Sequence, residues 1–165
     1  FGSRETRKQE TRFFINLSGA SMSDNNFFNF TFQKMKEYGI EPSLICFEIT
    51  ETVVISDFKK AIEFIKEVRS RGSYFALDDF GSGMSSFSYL KNFTVDYVKI
   101  DGSFVRDMKD DPLDYAIVES INKISHIVGL KTIAEFVEDL STMEILEKLG
   151  IDYAQGFGIA RPHST

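Results

Sequence analysis

Oxygen-bearing side chains and one lysine recur where apolar, strand-like runs of the sequence end. The first run closes on Asn16, the second contains Glu48, and the third ends at Asp78 and Asp79. The later runs end in polar residues of the same kinds, namely Lys99 with Asp101, Glu135, and Gln155. The carboxyl ends of parallel strands meet at one edge of a sheet, where α/β proteins gather their ligands and catalytic groups. Any one of these residues could also be a turn residue or a solvated helix start, but six similar strand endings favour a shared site.

Carboxylates gathered at such an edge would repel one another unless they took up protons or bound a cation. The set contains carboxylates and an amide, with no histidine or thiolate, which suits a hard, oxygen-binding ion such as Mg²⁺ or Mn²⁺. Such ions would also let an acidic protein hold an anionic phosphate. Lys99 adds a positive charge that can lower the pKa of a metal-bound water or stabilise a transition state. The set therefore predicts metal-assisted phosphoryl or enolate chemistry.

Alternating strand-like and helix-like segments would position these residues. Strands are predicted at Arg12–Leu17, Leu44–Ile49, Tyr74–Leu77, Val95–Ile100, Thr132–Ala134 and Asp152–Ala154, and the first of them is expected to be buried. Helices are predicted at Asp24–Tyr38, Asp57–Arg71, Ser86–Leu90, Pro112–Val128 and Leu140–Leu149. The alternation predicts an α/β protein with a parallel sheet, and it does not separate an open sheet from a barrel. Without linkers or low-complexity segments, residues 1–165 are interpreted as one domain.

Composition argues against several classes of protein. The 165 residues carry a net charge of −6, from 25 acidic and 19 basic residues, so the chain lacks the basic face by which proteins bind DNA or RNA polymers. No apolar run is long enough to span a bilayer, and no membrane contact is expected. The single cysteine, Cys46, lies in an apolar run, which predicts a buried residue in a reducing, cytoplasmic setting. Membrane tethering of a longer parent protein is left open.

Six motifs in a fixed order resemble the EAL domain of bacterial cyclic di-GMP phosphodiesterases. They are Asn16–Ser18, Glu48–Glu51, Asp78–Gly83, Lys99–Asp101, Glu135–Glu138, and Gln155–Phe157 with Pro162. Each motif alone is weak, but their order extends over nearly the whole chain. The resemblance implies a (β/α)8, TIM-barrel-like fold of which this chain covers roughly the last six βα units. A complete barrel of this kind needs about 250 residues.

The resemblance implies a role for each residue at the strand ends. The metal ligands would be Asn16, Glu48, Asp78, Asp79 and Glu135, holding two ions of Mg²⁺ or Mn²⁺. The catalytic residues would be Lys99 and Glu135, and the substrate contacts would be Asp101, Gln155 and Pro162. Glu51 would brace the Asp79–Ser86 loop, which in this family links the active site to a dimer interface. The implied reaction is the hydrolysis of cyclic di-GMP to linear pGpG, by a homodimer that can carry GGDEF or sensor domains.

Two features depart from the family pattern. Phe136 stands where the commonest form of its motif has glycine, and no role in the site follows from it. The Glu-Ala-Leu tripeptide that names the family precedes the first of these motifs and is not among the residues of this chain. Its glutamate is a metal ligand in the family, so activity of this chain alone is left open.

Two other functions compete with hydrolysis. The first is an inactive EAL-like receptor or protein-interaction module, which the intact motifs disfavour and the missing tripeptide favours. The second is a barrel enzyme of the enolate type, which also sets acidic residues and lysine at strand ends. The adjacent Asp78 and Asp79 and the Gln155-Gly156 pair argue against that second alternative.

Overall fold

Six parallel strands form the framework of the protein, whose computed structural model describes residues 11–82 and 87–161. The strands are β1 (Phe13–Asn16), β2 (Ile45–Thr50), β3 (Tyr74–Phe80), β4 (Tyr97–Ile100), β5 (Lys131–Ala134) and β6 (Tyr153–Ala154). They lie side by side in chain order, and every neighbouring pair is parallel. The sheet curls into half a barrel, which confirms the predicted α/β fold with roughly six βα units.

Helices connect the strands and pack against the outer face of the sheet. They are α1 (Gly19–Ser23), α2 (Asn25–Glu37), α3 (Glu51–Ser56), α4 (Phe58–Ser70), α5 (Gly102–Asp107), α6 (Pro112–Ile127) and α7 (Leu140–Leu149). The four long helices each begin after an aspartate whose carboxylate accepts a backbone N–H of the first turn, namely Asp24, Asp57, Asp111 and Asp139. Because these caps satisfy amides that the helix leaves unpaired, the sequence itself marks the helix starts.

The two faces of the sheet carry different side chains. Residues such as Phe47, Leu77 and Val98 point toward the helices and belong to the main hydrophobic core. The residues that alternate with them form a smaller cluster on the concave face, consisting of Cys46, Ala76, Tyr97 and Ile133. Cys46 is fully buried in this cluster, as predicted. The concave cluster provides the floor on which the candidate site is built.

The first strand differs from its prediction. Phe13 is 58% exposed, and Phe14 and Ile15 are also exposed, so the expectation of a buried strand was wrong. The cause is position, because β1 pairs with β2 on one side and with no other strand among the described residues. The apolar run of residues at β1 therefore predicted the strand correctly but not its burial. Only Leu17, just beyond the strand, enters the core.

Element lengths account for the other differences. β3 continues three residues beyond its predicted end, to Phe80, so that Asp78 and Asp79 lie within the strand. Helices α1, α3 and α5 were not predicted, because five or six residues are too few to show helical periodicity. Residues 87–92 form a 3₁₀ helix where a short helix was expected to begin at Ser86, which lies outside the described residues. No helix in the described part of the chain is both long and apolar enough to cross a membrane.

Candidate active site

Strand alternation places one polar layer directly above the concave cluster. Side chains two residues apart on a strand share a face. The polar layer therefore comprises the residues two positions beyond the concave cluster, namely Glu48, Asp78, Lys99 and Glu135. The backbone register staggers these positions, since Glu48 pairs with Ala76 and Lys99 pairs with Ile133, as expected for tilted strands in a curled, barrel-like sheet. A hydrophobic floor thus forces four charged groups together at the carboxyl edge of the sheet.

An irregularity in β3 adds a fifth charged group to this layer. Consecutive strand residues normally point to opposite faces, but the register of β3 against β4 shifts between Leu77 and Phe80. Within that shift Asp79 adopts a left-handed backbone, with φ of 52°. As a result Asp78, Asp79 and Glu135 each offer a carboxylate oxygen within 4.8 Å of the other two. Bulges of this kind commonly redirect side chains beside functional sites.

Lys99 lies at the centre of the layer. Its Nζ is 3.0 Å from Glu48 Oε2, 2.8 Å from Asp78 Oδ1 and 2.8 Å from Glu135 Oε1. The lysine is only 4% exposed, and Glu48 is 3% exposed. Three carboxylates therefore share one buried ammonium, which leaves an excess of negative charge in a largely desolvated place. Such an arrangement is costly unless a further cation or a proton balances it.

The pKa directions in the layer follow from burial and from this crowding. Burial raises the pKa of Glu48 and of Glu135, and the attraction of Lys99 only partly opposes it. Burial and the neighbouring Asp78 raise the pKa of Asp79. For Lys99 burial alone would lower the pKa, but the contacts with Asp78 and Glu135 outweigh it and raise the pKa above its ordinary value. The raised pKa values mean that Lys99 keeps its positive charge, and that Glu48, Asp79 and Glu135 hold protons more readily than usual.

The donor atoms of this layer suit a divalent cation. Glu48 Oε2 and Asp78 Oδ1 are buried and have no well-aligned hydrogen-bond donor, although both lie within ion-pair distance of Lys99. The oxygen-only cluster of Asp78, Asp79 and Glu135 matches the preference of Mg²⁺ and Mn²⁺ for carboxylates. A divalent cation would neutralise the excess charge that Lys99 leaves unbalanced. The residues present therefore fit the metal class predicted from the sequence.

The remaining predicted site residues lie around the edge of the layer. Asn16 ends β1 beside Glu48, its register partner on β2. Asp101 follows β4, and its carboxylate accepts the backbone N–H of Ser103 at 2.8 Å to start α5. Gln155 follows β6 and shares a cavity with Glu135. Pro162 lies outside the described residues. The structure thus gathers Asn16, Asp101 and Gln155 near the charged layer without assigning them a ligand.

Comparison with known families decides what kind of domain presents this layer. The EAL domain family matches residues 2–162 of the chain. The chain belongs to the EAL domain family. The resemblance inferred from the six motifs is thereby confirmed.

Relatives of this EAL domain include cyclic di-GMP phosphodiesterases. PdeB of Shewanella oneidensis is 43% identical over 148 residues, which are 90% of this chain and 17% of that protein. PdeA of Borreliella burgdorferi is 40% identical over 145 residues, which are 88% of this chain and 22% of that protein. The chain therefore spans about a fifth of the length of these curated relatives.

Solved EAL structures share the fold. The PaMucR phosphodiesterase in complex with cyclic di-GMP has a TM-score of 0.89 and 30% identity, over 93% of this chain and 62% of that chain. The EAL domain of Mycobacterium smegmatis DcpA has a TM-score of 0.84 and 34% identity, over 92% of this chain and 68% of that chain. The half-barrel seen here thus corresponds to about two-thirds of these chains.

Glu51 occupies a position distinct from the charged layer of the EAL domain. It begins α3 and is 1% exposed, and its Oε2 accepts the backbone N–H of Gly81 at 3.1 Å. Gly81 follows β3 directly, so this contact ties the start of α3 to the chain that leaves Asp79. Bracing of the Asp79–Ser86 loop by Glu51 stays a prediction, since that loop lies partly outside the described residues.

Sequence reasoning gave no role to two aromatic residues beside the layer. Phe136 follows Glu135, Phe157 lies two residues after Gln155, and both side chains line one cavity with those polar residues. The available signal was a large apolar residue adjacent to a candidate functional residue at a strand end. Phe136 was noted only as a departure from the family motif and Phe157 only as part of the last motif, so neither was assigned to the site.

Proposed function

We propose that this EAL domain belongs to a metal-dependent phosphodiesterase that hydrolyses cyclic di-GMP to linear pGpG. In this reaction a water oxygen forms a bond to one phosphorus, and the bond from that phosphorus to a ribose oxygen breaks. The water loses a proton, and the departing ribose oxygen gains one. The observation that carries the proposal is the convergence of Glu48, Asp78, Asp79 and Glu135 around Lys99 at the carboxyl edge of the sheet. Relatives named as cyclic di-GMP phosphodiesterases support the choice of substrate.

Asn16, Glu48, Asp78, Asp79 and Glu135 would hold the metal, either Mg²⁺ or Mn²⁺ and up to two ions. When bound, the metal supplies positive charge for the phosphate and lowers the pKa of water. An oxygen-only donor set supports this choice over zinc, which favours histidine and cysteine. Because the domain is acidic overall, a phosphate ligand requires such a concentrated positive charge.

Lys99 and Glu135 are the catalytic residues of the proposal. Lys99 remains charged because its carboxylate partners raise its pKa, so it can stabilise negative charge that develops on a phosphate oxygen. Burial raises the pKa of Glu135, which makes this carboxylate a better proton acceptor for the attacking water. The 2.8 Å contact between Lys99 Nζ and Glu135 Oε1 keeps the two side chains next to each other. Asp101, Gln155 and Pro162 complete the proposal as substrate contacts.

A homodimer, a cytoplasmic location and linked GGDEF or sensor domains belong to the same proposal. The EAL resemblance supports the first, and the contact of buried Glu51 with Gly81 links α3 to the chain that leaves the site. A single buried cysteine supports a reducing compartment. The short coverage of the curated relatives supports further domains in the parent protein.

The test is hydrolysis of cyclic di-GMP by the full-length protein and by this 165-residue chain, with Mg²⁺, Mn²⁺ or EDTA. Separation of pGpG from substrate by chromatography gives the rate. Metal-dependent turnover is expected, and Asp79→Asn should lower it by at least about tenfold to a hundredfold, the loss found when even a partner behind a metal ligand is changed. Glu119→Gln, an exposed carboxylate paired with Lys123, is the matched control and should change nothing.

Three results would revise the proposal in different ways. Turnover by the full-length protein alone would mean that the chain holds an incomplete site. Binding of cyclic di-GMP without turnover by either form would replace the enzyme with a receptor. Metal-independent turnover, or full activity of Asp79→Asn, would contradict the assignment of the carboxylate layer.

A further inference from the structure

Two residues next to the charged layer fit each other so closely that one added methyl group has no room. Phe136 follows Glu135 just after β5, and Gly102 follows Asp101 and begins α5. A Cβ built on Gly102 would lie 2.1 Å from Cδ2, 2.6 Å from Cγ and 2.9 Å from Cβ of Phe136. These distances are well inside the roughly 3.5–4.0 Å of an ordinary contact between carbon atoms. Because the Cβ of Phe136 is itself so close, rotation of the ring alone would not make room.

The ring of Phe136 is held against α5 although the residue is 53% exposed. Its backbone is left-handed, with φ of 54°, a conformation that bulky residues rarely adopt. The guanidinium of Arg106 lies 5.4 Å from the ring centre, and Arg106 shares one face of α5 with Gly102, four residues earlier. Strained conformations are retained where the surrounding structure requires them, and they cluster at functional sites. Since both of these contacts are made with α5, the placement of α5 is the reason that we examine for this strain.

The end of β3 holds the other side of α5. The backbone N–H of Asp101 donates to the carbonyl of Phe80 at 3.3 Å. Gly81 follows, and a Cβ built on it would lie 3.1 Å from Phe104 Cε2, so the chain that leaves β3 also packs closely on α5. With six residues, α5 is too short to be stable by itself, and its position depends on these contacts. The helix is therefore fixed between the ends of β3 and β5, two of the strands that carry the charged layer.

The carboxylate of Asp101 moves with α5. It caps the helix by accepting the backbone N–H of Ser103 at 2.8 Å, so its orientation is set by the first turn. The charge of Asp101 also reaches the layer, because it adds to the effects of burial and of Asp78 in raising the pKa of Asp79. A displacement of α5 would therefore change where a negative charge stands beside the groups assigned to phosphodiester chemistry.

Resting on the proposed function, we propose that Phe136 is a positioning residue, which fixes α5 through Gly102 and so holds the Asp101 carboxylate beside the charged layer. Gly102 is the matching half of the pair, since only glycine leaves room for the ring. Phe136 acts through Asp101 in this role, and the role requires no contact between the ring and the substrate. Misplacement of a positioning group by about 1 Å can lower activity by about a hundredfold, so a small shift of α5 is expected to be measurable.

The first test compares Gly102→Ala, Phe136→Gly and the double variant in the full-length protein, by kcat/KM for cyclic di-GMP per folded molecule. Gly102→Ala should lower kcat/KM by about tenfold or more, because the added methyl group displaces α5. Phe136→Gly should lower it by less, because it removes the ring without creating a clash. The double variant should recover at least to the level of Phe136→Gly, because glycine at position 136 makes room for the methyl group.

A second test separates positioning from a purely structural role. Asp101→Asn keeps the oxygen that caps α5 but removes the charge. In this background Gly102→Ala should lower kcat/KM by less than about threefold, because the carboxylate that α5 positions is already absent. The loss in free energy of unfolding caused by Gly102→Ala, measured by urea denaturation, should be the same in both backgrounds. If Gly102→Ala does not fold, the comparison is made with Phe136→Gly, whose smaller loss of activity should likewise vanish in Asp101→Asn.

Gly19→Ala is the matched control. Gly19 begins α1, and a Cβ built on it would lie 3.5 Å from Val53 Cγ1, which is an ordinary contact. This variant adds the same methyl group at the start of another short helix and should leave kcat/KM unchanged. If the protein binds cyclic di-GMP without hydrolysing it, the same ratios are expected in Kd measured by calorimetry.

The outcomes separate this proposal from the proposed function. An active wild-type protein with an equally active Gly102→Ala variant would overturn the positioning role and leave the function intact. A double variant that shows no recovery, or an equal loss of activity in the Asp101→Asn background, would also overturn the role. A wild-type protein that neither binds nor hydrolyses cyclic di-GMP would overturn the proposed function, and the positioning role with it.

Discussion

The carboxylates at the two ends of the sheet differ in how well they are matched with donors and cations. At the amino ends, Asp96 accepts the backbone N–H of Phe75 at 2.9 Å and pairs with Arg69 at 2.9 Å. Asp152 accepts the backbone N–H of Thr132 at 2.9 Å and lies 2.8 Å from His126 Nε2. Each of these aspartates immediately precedes a strand, β4 or β6, and satisfies an amide of the strand before it. These carboxylates are matched with donors and stabilise the fold.

At the carboxyl ends the balance is reversed. Glu48, Asp78 and Glu135 converge on the single ammonium of Lys99, and Asp79 adds a further charge. Burial makes that excess charge costly, whereas the same carboxylates could be neutralised by a bound cation. The comparison teaches that the carboxylates at one end are matched with donors and maintain the half-barrel, while those at the other end carry an unmatched charge that the proposed metal site would use.

The largest expected effect on stability comes from Lys99→Met. Loss of the central ammonium would leave three buried carboxylates without their cation, and the free energy of unfolding should fall by about 3–5 kcal/mol. Urea denaturation in EDTA measures the loss. Lys123→Met breaks an exposed pair with Glu119 and should cost less than about 1 kcal/mol. Equal losses of stability in the two variants would contradict the claim that the carboxylates at the carboxyl ends of the strands depend on Lys99.

At the amino ends, Asp96→Ala and Asp152→Ala should each lower the free energy of unfolding by about 1–3 kcal/mol. Each substitution leaves the backbone N–H of Phe75 or Thr132 without its acceptor. Denaturant unfolding measures the loss of stability. The rate of hydrolysis per folded molecule, assayed at denaturant concentrations well below the unfolding midpoint, should remain near the wild-type rate. A variant that stays folded but loses turnover would contradict the claim that the carboxylates at the amino ends of the strands serve stability alone.

A smaller effect of opposite sign is expected for Glu48→Gln. Because burial raises the pKa of Glu48, its charged form is unfavourable in the fold, and a neutral side chain of the same shape should stabilise the metal-free protein by up to about 1 kcal/mol. The same substitution should abolish metal-dependent hydrolysis. Thermal unfolding in EDTA measures the first effect, and destabilisation there would contradict the view that the charge excess is costly.

The smallest effect is a difference in pH dependence. Despite burial, donation from Thr132 and contact with His126 hold the pKa of Asp152 below its ordinary value. Its stabilisation is therefore present at neutral pH and lost as the pH falls below about 4. The raised pKa values of Glu48 and Glu135 have the opposite effect on stability. The contribution of these two residues to the free energy of unfolding is greatest in acid and is lost as the pH rises.

Asp152→Asn isolates the contribution of that carboxylate to acid sensitivity. The variant keeps a side-chain oxygen as acceptor but cannot titrate, so its free energy of unfolding should decline less steeply in acid, by less than about 1 kcal/mol. Urea denaturation between pH 3 and pH 7 would measure the two slopes. If the free energy of unfolding declines equally in acid for the wild type and the variant, Asp152 does not contribute to acid sensitivity.

Sequence reasoning predicted most of the strands and most of the charged layer. Strand endings and capping aspartates such as Asp57 are local signals, and motif order fixed the family. The burial of β1 could not be predicted, because whether Phe13 is covered depends on neighbouring strands and not on its own run of residues. The joint direction of Asp78 and Asp79 depends on a register shift against β4, and the left-handed backbone of Phe136, with φ of 54°, depends on the fold around it, so neither is visible in residue spacing.

The central claim is that the carboxylate layer around Lys99 is a site for a divalent cation. Calorimetric titration of Mn²⁺ into the EDTA-treated full-length protein tests it most directly, with Asp79→Asn as the comparison. The account predicts saturable binding by the wild-type protein and binding weakened by at least about tenfold in the variant, as expected when a metal site is disturbed. Equal binding by both, or none by the wild type, would contradict it.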